Sequence, residues 1–334
     1  MTVRKPTMRD IARELGTSAV TVSKAMAGKP GMSDELRAKI LEKASEMGYE
    51  YPAEKIRKEL EIGILIPDRH FEPESFYAEI YKRLVKKLTD LGHFGLLEIL
   101  GSASEKALIL PNLLDVKHVD GLILLGEPDK AYYRKIAKAG TPVVFLDFYD
   151  EQANADAVTA DNVYGTYRLT SHLIRNGHRR IGFVGSTKAT SSIMDRFLGF
   201  VRALMMNDLE VRKDWFLPDR DETGKLIMPT LPEDMPTAFV CNCDVTARLL
   251  IRQLQENGYR VPENVSVTGY DDYPLGGMND VPLSTYRNDT DGMIDLAVRT
   301  LLDRCAGEQK PFGRFVVGGQ PVYRDSEIRI ESKD

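Results

Sequence analysis

Apolar positions near the amino terminus recur at helical spacing and predict a first short helix. Ile11, Ala12 and Leu15 fall on one face, as expected of an amphipathic helix. Thr7 and Asp10 have the spacing of a capping box, in which both side chains bond the first backbone N–H groups. The helix therefore begins near residue 7, and the glycine that follows Leu15 can end it.

A second and a third helix follow directly. Ser18 can cap the second, in which Val22 and Met26 lie on one side, and Ser33 can cap the third. The outward face of the second helix carries small residues and a lysine, which are Ala19, Val20, Ser23 and Lys24. Three helices with a tight turn between the first two make a small helix-turn-helix domain. Taken alone, the pattern also fits a helical hairpin that packs on another part of the chain.

From Ile62 onward, short apolar runs alternate with amphipathic stretches. The runs have the length and composition of buried parallel strands, and they cover residues 62–66, 121–125, 142–146, 180–185, 237–240 and 265–268. The stretches between them have the period of helices, over residues 76–91, 164–176, 196–206 and 246–257. This alternation predicts a doubly wound α/β architecture. We expect two lobes, each with its own parallel sheet, and a changeover at residues 161–164.

Polar residues follow several of these predicted strands. Asp147 follows one, Asn242 and Asp244 follow another, and Asp271 with Asp272 follows a third. Open parallel sheets bind ligands beyond the carboxyl ends of their strands. Facing carboxylates beside an arginine suit a polyhydroxylated ligand, since each carboxylate can accept several hydroxyl protons.

Composition limits the class of protein. The net charge is −5, yet residues 1–60 carry about three more basic than acidic residues. The mildly basic amino-terminal segment can bind DNA although the rest of the chain is acidic, because salt screens electrostatic repulsion beyond about 8–10 Å. The three cysteines do not make a disulfide framework. Because the sequence has neither a membrane-spanning apolar run nor a signal-peptide core, we expect a cytoplasmic protein without a membrane partner.

The residues of the first helices resemble a known family. The motifs Thr7-x-x-Asp-Ile-Ala-x-x-Leu-Gly-x-Ser-x-x-Thr-Val-Ser-Lys24, Met32-Ser-x-Glu-x-Arg37 and Met47-Gly-Tyr49 are similar to the headpiece of the LacI/GalR bacterial transcription regulators. The resemblance implies that the second helix enters the major groove of DNA. Base edges would face Ala19, Val20 and Lys24, and phosphates would be held by Thr7, Ser18, Thr21 and Ser23. This division suits the chemistry, because lysine donates to guanine and apolar groups touch the thymine methyl.

The resemblance extends through the rest of the chain. It is carried by Val119-Asp-Gly-Leu-Ile123, Asp161-Asn162, Gly177-His-Arg-Arg-Ile-Gly182, Arg196-x-x-Gly-Phe200 and Gly269-Tyr-Asp-Asp272. The family's sensor is a periplasmic-binding-protein-like pair of lobes with an effector between them. By matching positions, the implied effector contacts are Asp161, Arg196 and Asp271, with Phe76 and Tyr77 as a stacking wall. Asp244 is a further candidate, although Cys243-Asp244 stands where the family usually has Asn-Asp.

Each candidate effector contact also has a purely structural interpretation. Asp161 can cap the helix that it precedes, and Arg196 can be a surface arginine. Phe76 and Tyr77 can equally belong to the core.

Three further residue types invite a functional interpretation that their surroundings do not favour. Asp272 is interpreted as a turn residue, and His178 as a helix-to-strand corner. Cys241 and Cys243 lack a partner pair at zinc spacing. We therefore expect no metal, no cofactor and no catalytic residue.

These observations predict a domain organisation. Residues 1–50 would form the headpiece, 51–61 the hinge and 62–334 the effector-binding and dimerisation domain. Lobe one would comprise about 62–160 and 288–317, and lobe two about 161–287 and 318–330. The resemblance implies a homodimer on a near-palindromic operator, controlled by a sugar or sugar derivative. A phosphorylated protein as corepressor is also compatible with the sequence.

Two segments depart from the family pattern. From Pro52 the first strand arrives about five residues early, and no leucine falls at the position from which the family's hinge helix kinks DNA. We interpret this hinge as one that packs differently or does not insert. Between Trp215 and Pro236, prolines replace the family's usual helix, and this predicts an extended loop near the cleft mouth.

Three functions compete at this point. The first is a ligand-responsive repressor without enzymatic activity. The second is a sugar receptor of the transport type, and the absence of a signal peptide and the presence of the headpiece argue against it. The third is an enzyme that uses the cleft carboxylates as an acid/base pair, as a glycoside hydrolase does.

Overall fold

The computed structural model describes residues 6–26, 32–47, 49, 59–72, 75–273 and 281–330. The chain divides into two compact units, residues 1–60 and residues 61–334. Each unit buries apolar side chains of its own, so each is described by itself.

Among the described residues of the first unit, three helices are present: α1 (Met8–Glu14), α2 (Ala19–Met26) and α3 (Asp34–Glu46). Thr7 and Asp10 form the predicted capping box, and Ser33 accepts a hydrogen bond from the backbone of Leu36. Gly16 has the predicted positive φ of 61°. The helices pack around buried Ile11, Ala12, Val22, Ala25, Ile40 and Ala44.

Ala19 departs from the predicted outward face of α2. It is half-buried and packs against the apolar cluster of the first unit. The reason is helical geometry, because residues 19 and 22 are one turn apart and therefore share a face. The side chains of Ser23, Lys24 and Met26, together with Gly48 and most of the predicted hinge (residues 51–58), lie outside the described residues.

Along the described residues of the second unit, strands and helices alternate. In chain order they are β1 (Glu61–Pro67), α4 (Phe76–Asp90), β2 (Phe94–Leu100), α5 (Ser102–Lys106), α6 (Asn112–Asp115), β3 (Gly121–Leu125), α7 (Lys130–Ile136), β4 (Val143–Leu146), β5 (Asp156–Ala160), α8 (Asn162–Arg175), β6 (Ile181–Val184), α9 (Ser191–Met205), β7 (Phe216–Leu217), β8 (Ala238–Cys241), α10 (Asp244–Glu256), β9 (Ser266–Thr268), β10 (Thr285–Asn288), α11 (Thr290–Cys305), β11 (Arg314–Val317) and β12 (Gly319–Val322).

The described strands form two parallel sheets. The first has the order β11-β5-β4-β3-β1-β2 and defines lobe one, and the second has the order β7-β6-β8-β9 and defines lobe two. The strands β10 and β12 pair antiparallel. Within each sheet, parallel neighbouring strands are linked by helices. Ile62 lies opposite Gly121 in one sheet, and Ile181 lies opposite Ala238 in the other. This arrangement confirms the doubly wound α/β class with two lobes.

The chain passes between the lobes three times within the described residues. It leaves lobe one after Ala160, at the predicted changeover, because α8 packs on α9 and β8. It returns after β10, because α11 packs on β3, β4 and β5. It leaves again after β11, and the backbone N–H of Val267 in lobe two then donates to the carbonyl oxygen of Ser326.

The apolar pattern does not predict β2 and β5. β2 is an edge strand, and its first residue, Phe94, is 56% exposed. β5 contains the fully buried Asp156, which pairs with Arg304 at 2.7 Å. As predicted, the described chain has no helix between Leu217 and Ala238, where a tight turn pairs Arg220 with Leu226.

Candidate functional site

The exposed side of α2 is the first candidate surface. Val20 is 65% exposed. The hydroxyl of Ser18 accepts from the backbone N–H of Thr21 at 3.0 Å and pairs with the Thr21 hydroxyl at 2.8 Å. The predicted contacts of Ser23 and Lys24 involve side chains outside the described residues, so Val20, Ser18 and Thr21 define this surface.

Thr7 is already engaged by its own cap. Its backbone N–H and its hydroxyl both donate to Asp10 Oδ2, at 2.9 and 2.6 Å. A phosphate needs a donor, and the hydroxyl has a single proton to give. A phosphate contact by Thr7 would therefore compete with the capping box, and it stays a prediction.

Four polar side chains between the lobes form the second candidate, which we call the cleft group: Tyr77, Asp147, Arg196 and Asp271. Asp147 follows β4 of lobe one, and Asp271 follows β9 of lobe two. Tyr77 lies in the first turn of α4 and Arg196 in α9. Loops at the carboxyl ends of parallel strands and the helices beside them therefore build this site, as expected for open sheets.

Arg196 is the centre of the cleft group. It is 4% exposed, so it is not a surface arginine. Its guanidinium donates to Asn162 Oδ1 at 2.8 Å, to the Asn242 carbonyl at 2.6 Å and to Asp271 Oδ1 at 3.1 Å. It also lies 3.9 Å from the centre of the Tyr270 ring, a favourable cation–π position. These contacts fix its orientation without any ligand.

Asp271 is held on two sides and in an unusual backbone conformation. Its Oδ1 accepts from Arg196 and from Asn288 Nδ2, and its φ is 105°. Burial raises the pKa of Asp271 to about 7, although the charge of Arg196 opposes this rise. Near neutral pH this carboxyl can therefore either accept or donate a hydrogen bond.

Asp147 brings lobe one into the cleft group. The hydroxyl of Tyr77 donates to Asp147 Oδ2 at 2.8 Å. Asp147 is 4% exposed, and its Oδ1 has no hydrogen-bond partner within the described residues. Burial raises the pKa of Asp147 above its usual value. Because a buried acceptor without a partner is costly, Oδ1 is a site where a ligand hydroxyl gains a bond.

Phe76 lies beside the cleft group at the start of α4. It is half-buried and packs edge-on against Tyr77 and Tyr273, with ring centres 5.5 and 6.1 Å apart. Phe76 and Asp271 also line a cavity of about 710 Å³. Of the cleft group, only Asp271 lines that cavity, and the role of Phe76 as a stacking wall stays a prediction.

Two predicted effector contacts, Asp161 and Asp244, have structural partners, and their contact with an effector stays a prediction. Asp161 caps α8 by accepting from the N–H of Tyr164 at 3.2 Å. Asp244 accepts from the Thr285 hydroxyl at 2.6 Å and from the N–H of Tyr273 at 2.8 Å, and burial raises its pKa to about 6. Both oxygens of Asp244 are therefore engaged, so it positions the loop after β9.

Sequence reasoning missed two cationic or titratable residues near the cleft group. Arg220 lies in the extended loop and pairs with buried Asp219 at 2.6 Å. His70, in the short 3-10 turn after β1, packs 5.2 Å from the Tyr77 ring. Burial lowers the pKa of His70 to about 4, which keeps the imidazole neutral. The signal available in the sequence was only the position of each residue in a loop next to a strand end.

Further contacts join the two lobes across the cleft. Glu127 of lobe one accepts from the N–H and hydroxyl of Ser191, at 2.6 and 2.7 Å, at the start of α9. Asp195 of α9 accepts from Tyr149 and Arg314, at 3.0 and 2.7 Å. Lobe one therefore holds α9, the helix that carries Arg196, at two points.

His178 and Asp272 both have structural partners. His178 is buried between Thr237 and the carbonyl of Ile328, and Asp272 pairs with Arg324 and Arg287. Across the described residues, no group of three potential metal ligands converges, and no helix is long and apolar enough to cross a membrane.

Family models match two segments of the chain. Residues 7–51 match the model described as bacterial regulatory proteins, lacI family, and residues 170–327 match that of a periplasmic binding protein-like domain. These segments correspond to the two kinds of site described above, one in each unit.

Curated relatives match over nearly the full length. The ribose operon repressor of Haemophilus influenzae is 30% identical over 331 residues, which cover 96% of this chain and 98% of the relative. The HTH-type transcriptional regulator MalR of Streptomyces coelicolor is 29% identical over 332 residues, covering 96% of each. These relatives are transcriptional regulators by name.

Solved structures share the fold. A transcriptional regulator CelR–cellobiose complex superposes with a TM-score of 0.68 at 24% identity, covering 96% of this chain and 99% of the other. The lac repressor dimer bound to operator and the anti-inducer ONPF gives 0.66 at 22% identity, covering 97% and 100%.

Asp271→Asn should flatten the pH dependence of stability. As pH rises, the Asp271 carboxyl loses its proton at the usual low pKa in the unfolded chain but keeps it up to about pH 7 in the folded chain. The free energy of unfolding should therefore fall as pH rises from about 4 to about 7. Asparagine has no such proton. Denaturant titrations across this window measure the slope, with Asp214→Asn, whose side chain is 80% exposed, as the control. An unchanged slope in Asp271→Asn would contradict this titration.

Proposed function

This chain belongs to the LacI family of bacterial regulatory proteins, and we propose that it is a repressor whose operator binding is controlled by a sugar-like effector held by the cleft group. The observation that carries the proposal is the arrangement of buried polar side chains around Arg196. One carboxylate from each lobe faces this guanidinium, and Asp147 keeps an acceptor without a partner. A ligand that bonds both lobes favours their closed arrangement.

We infer that α2 reads the operator in the major groove. Val20 supports this assignment, because a β-branched apolar residue that is 65% exposed suits contact with a thymine methyl. Ser18 and Thr21 supply hydroxyls at the same end of the helix, where backbone N–H groups favour phosphate.

Val20→Ser should lower specific operator affinity by about 1–3 kcal/mol, the usual cost of losing one base contact. Non-specific binding and its salt dependence should be unchanged, because no charge is altered. The operator is first selected from random double-stranded DNA, and affinities are then measured by fluorescence anisotropy. Leu41→Ser, an exposed apolar position on α3, is the matched control. Equal losses in both variants would contradict base contact by Val20.

We infer that the effector is a sugar or sugar derivative. The cleft group offers carboxylates and a guanidinium, which together accept and donate hydrogen bonds as hydroxyl-rich ligands require. The names of the similar proteins point the same way, because they include a ribose operon repressor and a regulator in complex with cellobiose.

Asp147→Asn should remove about half or more of the stabilisation by effector. A ligand at 100 times its dissociation constant adds about 2.7 kcal/mol of stability, and losing one charged hydrogen bond weakens binding by about 10- to 100-fold. Thermal shift against neutral sugars, sugar acids and sugar phosphates measures the response, with the exposed Asp115→Asn as control. Operator binding by Asp147→Asn without effector should be unchanged. A thermal shift as large as that of wild type would contradict the role of this carboxylate.

We infer that the repressor is a homodimer joined in part through β2. This edge strand exposes Phe94 by 56% and Ile99 by 39%. An exposed, apolar edge strand otherwise promotes uncontrolled pairing. Two heads held together also gain affinity for a palindromic operator through effective concentration.

Ile99→Glu should weaken the dimer, because it places a charge in an apolar interface. Sedimentation velocity of the full chain measures the shift toward monomer. Ile109→Glu, which changes an isoleucine that is 58% exposed outside β2, should leave the oligomeric state unchanged. Dimers of undiminished strength in Ile99→Glu would exclude β2 from the interface.

A further inference from the structure

Arg220 has hydrogen-bond donors that no described residue uses. Its Nη1 donates to Asp219 Oδ2 at 2.6 Å, and within the described residues its Nε and Nη2 make no hydrogen bond. The side chain is 19% exposed, so it is accessible to a ligand. A guanidinium offers five donors in a rigid fork that matches a carboxylate or a phosphate.

The carboxylate of Asp219 is stabilised by other hydrogen bonds besides its ion pair with Arg220. This carboxylate is fully buried and accepts three other hydrogen bonds. They come from the N–H of Ser186 at 2.7 Å, the amide of Asn242 at 2.7 Å and the hydroxyl of Thr246 at 2.8 Å. Asp219 therefore positions Arg220, while neutral donors share in stabilising the carboxylate.

Arg220 lies within electrostatic range of residues that border the cleft group in both lobes. Its charge acts on the thiol of Cys243, which also interacts with Arg196. Its charge acts as well on His70, whose ring packs on Tyr77 of the cleft group. Arg220 therefore lies near residues of both lobes that border the cleft group.

We propose that the effector carries an acid group, a carboxylate or a phosphate, bound by Arg220, while its hydroxyls bind the cleft group. This inference rests on the proposed function, because it names the chemical class of that effector. A sugar acid and a sugar phosphate share the required chemistry, which is an anion and several hydroxyls on one small molecule.

The polar groups of the cleft call for both kinds of ligand group, the hydroxyls and the acid. Asp147 Oδ1 and His70 Nε2 have no hydrogen-bond partner within the described residues. A neutral imidazole that donates through its other nitrogen offers a lone pair at Nε2, and the low pKa of His70 keeps it neutral. Both atoms need hydrogen donors, which hydroxyls supply, whereas Arg220 needs an acceptor. Inorganic phosphate alone supplies an acceptor for Arg220 but has no sugar hydroxyls to donate to Asp147.

The experiment compares matched neutral and acidic probes on the full chain by isothermal titration calorimetry. The pairs are glucose with glucose 6-phosphate, glucose with glucuronate and ribose with ribose 5-phosphate, and inorganic phosphate is measured alone. At least one acidic probe should bind wild type more tightly than its neutral partner. Arg220→Gln should weaken that probe by about 10- to 100-fold and leave neutral sugars unchanged, and Arg220→Lys should retain part of the preference. The pair that shows the preference distinguishes carboxylate from phosphate.

Arg252→Gln is the matched control, because Arg252 is 67% exposed and pairs with Glu256 on α10. It should bind every probe as wild type does. The proposal is overturned if no acidic probe binds wild type more tightly than its neutral partner, or if Arg220→Gln keeps the preference. The proposed function fails in a different way, which is that wild type selects no operator from random DNA even though acidic probes bind.

Discussion

The buried guanidinium of Arg196 is the interaction on which the sensor unit depends. It joins the start of α8 through Asn162, the end of β8 through the Asn242 carbonyl and the end of β9 through Asp271. Removing one partner of a buried ion pair typically costs about 3–5 kcal/mol, so these elements keep their relative positions without a ligand. The groups that face the cleft are thereby preorganised, and less free energy is lost in ordering them when a ligand binds.

The cleft combines this rigid centre with contacts that depend on how the lobes approach each other. Tyr77 and Asp147 come from lobe one, whereas Arg196 and Asp271 come from lobe two. Glu127 and Asp195 add contacts that hold α9 against lobe one. A ligand shifts the equilibrium between two arrangements of the lobes only if it binds one arrangement more tightly than the other. In our proposal, a hydroxyl-rich acid makes such contacts with the carboxylates of the cleft group and with Arg220.

The sequence predicts most of the fold because its buried parallel strands are continuous apolar runs. β5 was missed because its buried Asp156 becomes acceptable only through Arg304, 148 residues later. In the site, Arg196 and Asp271 lie together as the motifs predict, whereas the bonds of Asp244 could not be predicted because its partner Thr285 is 41 residues away. Arg220 could not be found from sequence, since its free donors depend on the network that Asp219 makes with Ser186, Asn242 and Thr246.

Reciprocal linkage between the two binding sites is the most direct test of the account. Operator affinity is measured with and without a saturating effector, and effector affinity is measured with and without operator, on the same full-length protein. A repressor controlled through the cleft group must show the same factor in both measurements, because coupling free energy is reciprocal. Effector binding that leaves operator affinity unchanged would contradict the account.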